Sequence, residues 1–492
     1  MTLLESGTWG GRGWTGRWER LSGGEADITE PATGGVLGRT GVAAAADVDR
    51  SATAAAAAQP DWAAAPFQRR AAVLRRAGDL FTEHADEIKD WLVREAGNIP
   101  GKADFEVHVA AEECYEAAAL ASRPPGVLLP TEEPRLSFAR RVPVGTVGVI
   151  SPFNAALILA IRSVAPALAL GNAVVLKPDP RTPVCGGFVI ARVLEEAGLP
   201  AGLLHVLPGA AEAGQALVAH PRIPVISFTG STPAGRAVGE AAGRHLKRAH
   251  LELGGNSALV VLADADLDTV ISTAAWGSFF HQGQICMTTG RHLVHESLYD
   301  EYVDRLAAKA DSLAVGDPAR EKVHLGPVID SGQRDKIHQL VTASTDGGAR
   351  LAAGGSYEDL FYRPTVLAGV TDDTPAYANE VFGPVAPVRS FRTEDEAVAL
   401  AAASEYGLSL GIVTRDAAHG LDLAARIPTG IVHINDQTVN DEAVAPFGGV
   451  AASGTGSRFG GDANVEAFTD VRWTTMRSTA AAAPVRTGSR PR

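Results

Sequence analysis

Cysteine and long apolar stretches are the scarcest features of this 492-residue chain. The three cysteines, Cys114, Cys185 and Cys286, are too few and too irregularly spaced for a disulfide framework or a zinc ribbon, so no metal is expected. No apolar run reaches the ~20 residues that a membrane-spanning helix requires, and the N-terminal segment has no signal-peptide core. These absences predict a protein of the reducing cytoplasm without a membrane partner.

Basic residues are also in deficit. Lysine and arginine total 44 against 57 aspartates and glutamates, a formal net charge of −13. This balance disfavours a nucleic-acid-binding surface, so we expect a small-molecule partner and no nucleic acid. The apolar fraction of 46% is ordinary for a folded protein. A chain of this length exceeds what one hydrophobic core supports, so two large domains are expected.

Short Val, Ile and Leu runs alternate with helical patterns through much of the chain, which predicts an α/β fold with parallel sheets and crossover helices. The first such region contains five predicted strands, at 146–150, 173–176, 203–207, 225–228 and 250–253. Helical spacing dominates 47–122, where Leu74, Leu80, Ile88 and Leu92 are predicted to face the core. We therefore expect a Rossmann-like domain formed by 1–122 and 143–253, and a second α/β domain over 254–450.

Extended and aperiodic segments stand apart from this alternation. The segment 123–142 is Pro-rich and then alternating, as expected for an arm that leaves the domain. The segment 466–476 is predicted to be a terminal strand that crosses to a neighbouring subunit. The last residues, 478–492, are mostly Ala, Pro, Arg and Ser without periodicity, and are predicted to be disordered.

Cys286 ends the segment His281-Gln282-Gly283-Gln284-Ile285-Cys286, which places a thiol after a Gly-containing turn that follows an apolar helix. A thiol in that position can be exposed at a cleft and act as a nucleophile, whereas a cysteine is more often a small core residue. Cys114 and Cys185 lie within helical patterns, and both are predicted to belong to the core.

Glu252 lies in an apolar strand that ends on Gly254-Gly255. Burial of an unpaired carboxylate is costly or raises its pKa, and a raised pKa suits a general base working near neutrality. An exposed glutamate on an edge strand is the alternative interpretation.

Two further strand ends carry polar residues. Asn154, in Ser151-Pro152-Phe153-Asn154, either donates to a developing oxyanion or caps the following helix. The turn Phe228-Thr229-Gly230-Ser231 suits anion binding at a helix N-terminus. The dinucleotide fingerprint at Gly11-Arg12-Gly13-Trp14-Thr15-Gly16 has neither a preceding strand nor a following helix pattern, and is rejected.

Taken together, these segments resemble the aldehyde dehydrogenase superfamily from about residue 20 to 477, in the family's order. The supporting stretches are Leu176-Lys177-Pro178, Phe228-Thr229-Gly230-Ser231, Leu251-Glu252-Leu253-Gly254-Gly255, Gly283-Gln284-Ile285-Cys286, Glu380-Val381-Phe382-Gly383-Pro384 and Pro446-Phe447-Gly448-Gly449. The resemblance implies a cofactor domain, a catalytic domain and a small strand arm, here 123–142 with 463–477, that builds homodimers or homotetramers.

The resemblance also implies the roles of individual residues. Cys286 would be the nucleophile, Glu252 the general base, and Asn154 with the backbone N–H of Cys286 the oxyanion hole. Lys177 would hold the adenosine ribose of NAD or NADP, Ser231 the pyrophosphate, and Glu380 and Phe382 the nicotinamide ribose and ring. The cofactor-binding set as a whole would be Ser151, Pro152, Phe153, Lys177, Gly230, Ser231, Gly254, Glu380 and Phe382.

One departure bears on the cofactor. Many NAD-preferring members carry a glutamate three residues after the lysine, where this chain has Pro180 followed by Arg181. Loss of that acid relieves repulsion of a 2′-phosphate, so NAD is expected with NADP possible.

The segments Lys177-Pro178-Asp179-Pro180-Arg181-Thr182 and Gln284-Ile285-Cys286-Met287-Thr288-Thr289-Gly290-Arg291-His292 look most like the benzaldehyde and vanillin dehydrogenase branch. An aromatic aldehyde is therefore the expected substrate, with Phe280, Ile285 and Met287 lining its pocket. Phe279 is either a pocket residue or a core residue.

Other interpretations stay open. A CoA-acylating or phosphorylating relative would use the same cysteine, although Glu252 favours water as the acyl acceptor. A hydrolase without a redox step would pair Cys286 with His281 or His433. A catalytically silent binding protein would leave the polar site residues without a role.

Overall fold

The computed structural model describes residues 2–479, and the predicted disorder of 478–492 therefore falls almost entirely outside the described residues. Within 2–479, two seven-stranded sheets and one three-stranded sheet organise the chain. The expected α/β class is confirmed. No helix of this part of the chain combines the length and apolar composition needed to cross a bilayer.

The first large sheet contains all five strands predicted from the apolar runs, with ends that differ by one or two residues. Its strands in spatial order are Arg248–Glu252, Val225–Thr229, Thr146–Ile150, Ala173–Lys177, Leu204–Val206, Gly13–Trp14 and Trp18–Glu19. The first five run parallel, and the last two join as an antiparallel edge. Helices Ala156–Ala169, Val189–Glu196, Ala211–Ala219 and Thr232–Arg244 connect the parallel strands. Ligands of such sheets lie beyond the carboxyl ends of the strands.

The N-terminal region adds a helical layer and a hairpin to this sheet. Its helices are Ser6–Trp9, Ala45–Ala64, Phe67–Glu83, Ala85–Ala96 and Pro100–Leu120, and its hairpin strands are Glu25–Thr29 and Val36–Gly41. The predicted core residues Leu74, Leu80, Ile88 and Leu92 are fully buried. The rejected glycine fingerprint lies around the short edge strand Gly13–Trp14 and not at a turn from a parallel strand into a helix.

The helical pattern that contains Cys185 begins differently. Val184–Phe188 forms a π-helical turn that leads into Val189–Glu196. The buried Glu95 carboxylate accepts the backbone N–H groups of Val184 and Cys185 at 2.9 and 2.7 Å. Because a distant side chain satisfies these amides, the first turn does not need ordinary helical geometry.

The second large sheet has the spatial order Arg350–Ala353, Thr365–Ala368, Val385–Phe391, Thr289–His295, Ser257–Val261, Ser409–Val413 and Ile431–Ile434. All neighbours are parallel except the first pair. Its helices are Leu267–Phe279, Tyr299–Ser312, Ser331–Asp346, Pro375–Ala378, Glu394–Ala402 and Ala417–Ala424, and a 3-10 turn spans Phe280–Gly283. Two small ladders pair Tyr357–Glu358 with Phe361–Tyr362, and Tyr406–Gly407 with Val450–Ala451.

The three-stranded sheet is antiparallel and joins distant parts of the chain. Thr469–Met476 pairs with Leu136–Pro143, which pairs with Gly126–Leu128. The terminal strand predicted at 466–476 was wrong at its start, since residues 466–468 belong to the helix Gly461–Phe468. That helix buries Ala467 and Phe468, and helical spacing brings Asn464 to the same buried face.

Candidate active site

Cys286 lies where two cavities meet. Its partly exposed thiol lines an apolar cavity of about 390 Å³ and a polar cavity of about 350 Å³. Asn154 and Leu159 also line both. Cys114 and Cys185 are fully buried, as predicted. The cysteine predicted to be the nucleophile is thus the one that small molecules can reach from two sides.

The backbone before this thiol is held in an unusual conformation. His281, Gln282 and Gly283 have φ values of 49°, 57° and 65°, in the left-handed region. Non-glycine residues adopt that region at a cost of order 1–3 kcal/mol each, so surrounding contacts must hold the loop. Gln282 supplies such contacts, because its Nε2 donates to the carbonyl oxygens of Pro327 at 2.8 Å and Gly97 at 3.2 Å.

The double glycine allows the first sheet to approach this loop. A Cβ at Gly255 would lie 2.4 Å from the carbonyl oxygen of Cys286, and a Cβ at Gly254 would lie 2.2 Å from Oε2 of Glu380. The backbone N–H of Gly255 also donates to Oε1 of Glu380 at 3.0 Å. The absence of side chains at 254 and 255 therefore brings three predicted site segments together.

Glu252 ends the strand Arg248–Glu252 and is buried, which argues against the exposed edge-strand interpretation. Neither carboxylate oxygen forms a well-aligned hydrogen bond within residues 2–479, although the backbone N–H of Gly449 lies close enough to lower the pKa of the carboxyl. Burial raises the pKa of Glu252 well above its ordinary value, and the guanidinium groups of Arg162 and Arg458 oppose that rise. Its side chain lines neither cavity, but it is near enough for its charge to act on the Cys286 thiol.

The surroundings of the thiol favour its protonated form. Burial, reinforced by the charges of Glu252 and Glu380, raises the pKa of Cys286 to about 12. The thiolate is the nucleophilic form of cysteine. Nucleophilic attack at neutral pH therefore requires a base that takes up the thiol proton, or a positive charge brought in by a ligand.

Asn154 is buried just before the first residue of the helix Ala156–Ala169, and its backbone is held by a buried lysine. Lys102 Nζ donates to the backbone carbonyl oxygen of Asn154 at 2.7 Å and forms an ion pair with Glu106. The other Glu106 oxygen accepts the backbone N–H of Leu157 at 3.1 Å, in the first turn of that helix. Charge-assisted bonds of this kind hold the Asn154 backbone in place beside the thiol.

The polar cavity is lined by every residue predicted to bind the cofactor. These are Ser151, Pro152, Phe153, Lys177, Gly230, Ser231, Gly254, Glu380 and Phe382. Most of them follow the carboxyl ends of parallel strands in the first sheet, and Ser231 immediately precedes the helix Thr232–Arg244. Its N-terminal amides suit a diphosphate, and the charged and polar edges suit ribose hydroxyls. The donor set thus fits a dinucleotide.

Sequence reasoning missed other residues of this cavity, including Asp179, Gln333 and Lys336, and it noted Arg181 only as the residue after Pro180. Arg181 forms a two-point bond with Asp179, at 2.8 and 2.9 Å, and reaches Asp330 at 2.7 Å. Its guanidinium carbon lies 4.2 Å from the ring centre of Phe153. The acid and base next to Pro180 were visible in the sequence, but their mutual pairing was not.

The apolar cavity contains the three residues predicted for a substrate pocket, Phe280, Ile285 and Met287. Phe279 is buried and belongs to the core of the second sheet. The ring of Phe280 stacks on Trp276 with centroids 4.1 Å apart and planes 11° apart.

Sequence reasoning missed most of the apolar lining, including Phe105, Arg162, Trp276, Asp441 and Phe447. One signal was available, since Arg162 is the single charge in the otherwise apolar helix Ala156–Ala169. The rest come from segments that are far apart in the chain.

The histidines of the hydrolase alternative are poorly placed. His281 is fully buried, and His433 lies on the strand Ile431–Ile434. Among the described residues that line the two cavities beside Cys286, neither histidine occurs. Burial lowers the pKa of both rings, His281 far more than His433. Neither ring is in a position to serve as the partner of Cys286 on the substrate side.

Comparisons with known proteins agree with this geometry. Residues 18–474 match the Aldehyde dehydrogenase family. The chain is 71% identical over 485 residues to a vanillin dehydrogenase of Amycolatopsis sp., covering 98% of this chain and 100% of that protein. It is 50% identical over 473 residues to a benzaldehyde dehydrogenase [NAD(+)] of Pseudomonas putida, covering 96% and 97%.

A solved structure gives the same result. The crystal structure of a salicylaldehyde dehydrogenase from Pseudomonas putida G7, complexed with salicylaldehyde, matches with a TM-score of 0.93 and 35% identity. The match covers 96% of this chain and 99% of that one. The resemblance inferred from the sequence is confirmed. The chain therefore belongs to the aldehyde dehydrogenase family and is an oxidoreductase that acts on an aldehyde group.

Proposed function

We propose that this enzyme oxidises an aromatic aldehyde to its carboxylic acid, with NAD(P) as the acceptor and a thioester on Cys286 as the intermediate. The observation that carries the proposal is the position of one thiol between an apolar cavity and a polar one. An aldehyde in the first cavity and a nicotinamide in the second would both reach the same sulfur.

The chain's own groups account for the steps. Cys286 releases its thiol proton to solvent, which a positively charged bound cofactor would favour, and its sulfur bonds to the carbonyl carbon. The Asn154 amide and the Cys286 backbone N–H stabilise the resulting oxyanion. A bound nicotinamide cofactor supplies the hydride acceptor for this oxidation. Water then attacks the thioester and Glu252 takes its proton, which frees the acid and the sulfur.

Water is the proposed acyl acceptor because Glu252 is buried and its carboxylate oxygens form no well-aligned hydrogen bond within residues 2–479. A carboxylate with a raised pKa is a better base than an exposed one. Transfer to CoA or phosphate would not need this base.

The aromatic substrate is supported by the apolar cavity and its stacked Trp276 and Phe280 rings. A flat ring inserted there gains both apolar burial and ring contacts. The relatives with the highest identity described above act on vanillin and benzaldehyde, which are aldehydes of this kind.

The decisive experiment compares the wild type with Cys286→Ala. Wild type is expected to reduce NAD or NADP when benzaldehyde is present and to release benzoate. The variant is expected to lose aldehyde-dependent turnover by at least about 10³-fold while still binding cofactor. Turnover by Cys286→Ala at the wild-type rate would overturn the mechanism, and a wild type that is inactive with all aromatic aldehydes would overturn the substrate class.

We propose NAD as the preferred cofactor, with NADP tolerated. Asp179 lines the polar cavity and offers a carboxylate for a ribose hydroxyl, although residue 180 is proline. Arg181 offers a positive charge for a 2′-phosphate, and its pairing with Asp179 and Asp330 weakens that attraction without removing it. Because this residual attraction acts only on NADP, Arg181→Ala should lower kcat/KM with NADP more than with NAD. An equal loss with both would contradict this assignment.

The domain boundaries and the subunit arrangement are also proposals. We assign 1–122 with 143–253 to the cofactor domain, 254–450 to the catalytic domain, and the antiparallel three-stranded sheet to an arm that forms homodimers or homotetramers. Support comes from exposed apolar side chains on that sheet, such as Leu128 (76%) and Trp473 (64%). Light scattering of Leu128→Asp should give a smaller particle than the wild type, and an unchanged mass would contradict the role of the arm.

We propose the cytoplasm as the compartment. Cys114, Cys185 and Cys286 are all free thiols, and the proposed mechanism requires Cys286 to stay reduced. A nucleophilic thiol is best preserved where the thiol pool is reduced.

A further inference from the structure

Two threonine hydroxyls are buried beside residues that line the apolar cavity. Thr438 and Thr289 are both fully buried, and their Oγ1 atoms are 2.7 Å apart. Thr438 Oγ1 donates to the backbone carbonyl oxygen of Met287 at 2.7 Å. Because a hydroxyl has one hydrogen, Thr438 accepts the Thr289 hydroxyl in the other bond. Neither threonine is among the described residues that line the two cavities, and the oxidation proposed above uses neither.

The bond from Thr438 to Met287 joins two walls of the apolar cavity. Met287 lines the cavity and directly follows the nucleophilic cysteine in the chain. Gln437 and Val439, on either side of Thr438, line the cavity as well. Residues 437–441 are called the 437–441 wall below. One side-chain hydrogen bond thus connects the segment that carries the thiol to this wall.

Thr289 extends the connection to a third wall, the helix Leu267–Phe279, which carries Trp276. A Cβ at Gly277 would lie 2.3 Å from Thr289 Oγ1, so the helix approaches this hydroxyl because residue 277 has no side chain. The next residue, Ser278, donates its hydroxyl to the Thr289 carbonyl oxygen at 2.8 Å. Three walls of the cavity therefore meet at two hydrogen-bonded hydroxyls.

The backbone of Thr438 is fixed independently of its hydroxyl. Its carbonyl oxygen accepts the hydroxyl of Ser409 at 2.8 Å, and Ser409 begins the strand Ser409–Val413 of the second sheet. Buried hydrogen bonds of this kind are costly to break, because water cannot replace them without entering the core. Loss of the Thr438 hydroxyl would therefore free the thiol segment to shift against the 437–441 wall while the strand stays in place.

We propose that Thr438 is a positioning residue for the oxidation. Its hydroxyl sets the distance between the thiol and the 437–441 wall, and this distance aligns the carbonyl carbon of a ring-bearing aldehyde with the sulfur. The inference rests on the proposed function, since it assumes that the aldehyde occupies the apolar cavity. A displacement of about 1 Å between reacting atoms can lower a rate by about 10²-fold. A reagent too small to be held by the wall does not have this requirement.

The test compares two reagents for the same sulfur in the wild type and in Thr438→Val. With benzaldehyde and saturating cofactor, kcat and the first rapid NAD(P)H formation should fall by about tenfold to 10²-fold. KM should change less than kcat, because the ring still enters the cavity. The rate constant for inactivation by iodoacetamide should stay close to that of the wild type. An unchanged kcat, or an equal fall in kcat and in the iodoacetamide rate, would overturn the proposal.

Two further replacements identify the group responsible. Thr438→Ser keeps the hydroxyl and should restore most of the lost kcat. Thr438→Ala removes the hydroxyl without placing a methyl group against Thr289, and should behave as Thr438→Val does, also where the valine variant does not fold. A serine variant as slow as the valine variant would assign the effect to the methyl group and overturn the proposal. If neither the valine nor the alanine variant folds, the hydroxyl serves the fold and the assignment is equally wrong.

Thr365→Val is the matched control. Thr365 is fully buried in the second sheet and lines neither cavity in the described chain. Its hydroxyl also forms two bonds, donating to the Arg363 carbonyl oxygen at 2.8 Å and accepting the backbone N–H of Gly355 at 2.9 Å. The control should lower the melting temperature but leave kcat unchanged, and an equal loss of kcat would mean that destabilisation alone slows the enzyme.

The two levels of the argument fail in different ways. A wild type that oxidises neither benzaldehyde nor any other aromatic aldehyde fails the proposed function itself. A wild type that oxidises benzaldehyde, together with a Thr438→Val variant of equal kcat, fails only the positioning role of Thr438.

Discussion

The two cavities that meet at Cys286 are built in different ways. The polar cavity is bordered mainly by strand ends and turns of one parallel sheet, where Lys177 and Ser231 follow buried strands. The apolar cavity is bordered by side chains of helices, such as Phe105, Ile158 and Trp276, and by a loop near Phe447. The lining of the polar cavity therefore depends mainly on where the backbone runs, whereas the lining of the apolar cavity depends mainly on which side chains the helices carry. Substrate choice can change by substitution on these helices without disturbing the strand ends.

The largest expected effect comes from a buried residue that lines neither cavity. Glu252→Gln should reduce steady-state turnover by about 10³-fold, because the water that cleaves the thioester loses its base. The first rapid formation of NAD(P)H should survive better than the steady state. Stopped-flow measurement separates the two phases, and an equal loss of both would remove Glu252 from the hydrolytic step.

The same variant has a stability readout. Because burial raises the folded-state pKa of Glu252 above its ordinary 4.5, ionisation of this carboxyl opposes folding as pH rises above that value. Glu252→Gln lacks this group, so its melting temperature should gain on that of the wild type as pH increases from about 4.5. A difference that does not change with pH would contradict the burial of a titrating carboxyl.

Gly255→Ala tests whether the junction depends on backbone approach. The new Cβ would lie 2.4 Å from the carbonyl oxygen of Cys286, so the thiol must shift. A displacement of about 1 Å can cost about 10²-fold in rate, and we expect a loss of that size in kcat with every aldehyde. Gly243→Ala is the control, because a Cβ there meets no atom within 4 Å. A normal kcat in Gly255→Ala would show that the loop before Cys286 accommodates the added methyl group without displacing the thiol.

Lys177→Ala should affect the polar cavity alone. The lysine is buried at the end of the strand Ala173–Lys177 and lines the proposed cofactor site. We expect KM for the cofactor to rise about tenfold, as for the loss of one charge-assisted hydrogen bond, while KM for the aldehyde changes little. Lys247→Ala, at a lysine that lines neither cavity in the described chain, is the control. A larger effect on aldehyde KM would contradict the separation of the two cavities.

The smallest effect is expected from Trp276→Leu, at the other side of the thiol. Trp276 is 47% exposed and stacks on Phe280, so its loss removes ring contact at the cavity edge. KM for an aromatic aldehyde should rise about threefold to tenfold, since ring pairs contribute about 0.5–1.5 kcal/mol, and KM for the cofactor should not change. Phe67→Leu replaces a similarly exposed ring outside both cavities. An equal response in the two variants would point to stability and not to substrate binding.

The same contrast explains what the sequence could predict. Apolar runs such as Thr146–Ile150 identify parallel strands, and candidate polar residues follow from strand ends, so Asn154 and Ser231 were found. The family resemblance supplied Lys177, Glu380 and Phe382. Trp276 and Asp441 were missed, because the side chains of distant helices and loops converge only through tertiary packing.

Pairing between charges was equally hidden. Arg162 occupies an apolar helix. Nothing in the local sequence indicates that its guanidinium donates a hydrogen bond to Asp441, 279 positions later. The helical start of Gly461–Phe468 was missed for a related reason, since its buried face is defined by contact with the first core and not by its own short pattern.

The left-handed turn at His281 and Gln282 has a consequence for how activity arises during folding. Gln282 is tethered to Gly97, which follows the helix Ala85–Ala96 on the first sheet's side, and to Pro327, which precedes the helix Ser331–Asp346 on the second. Neither half alone supplies both tethers. A half-assembled chain therefore lacks one of the two tethers, and the loop that carries the sulfur is fully held only once both halves are in contact.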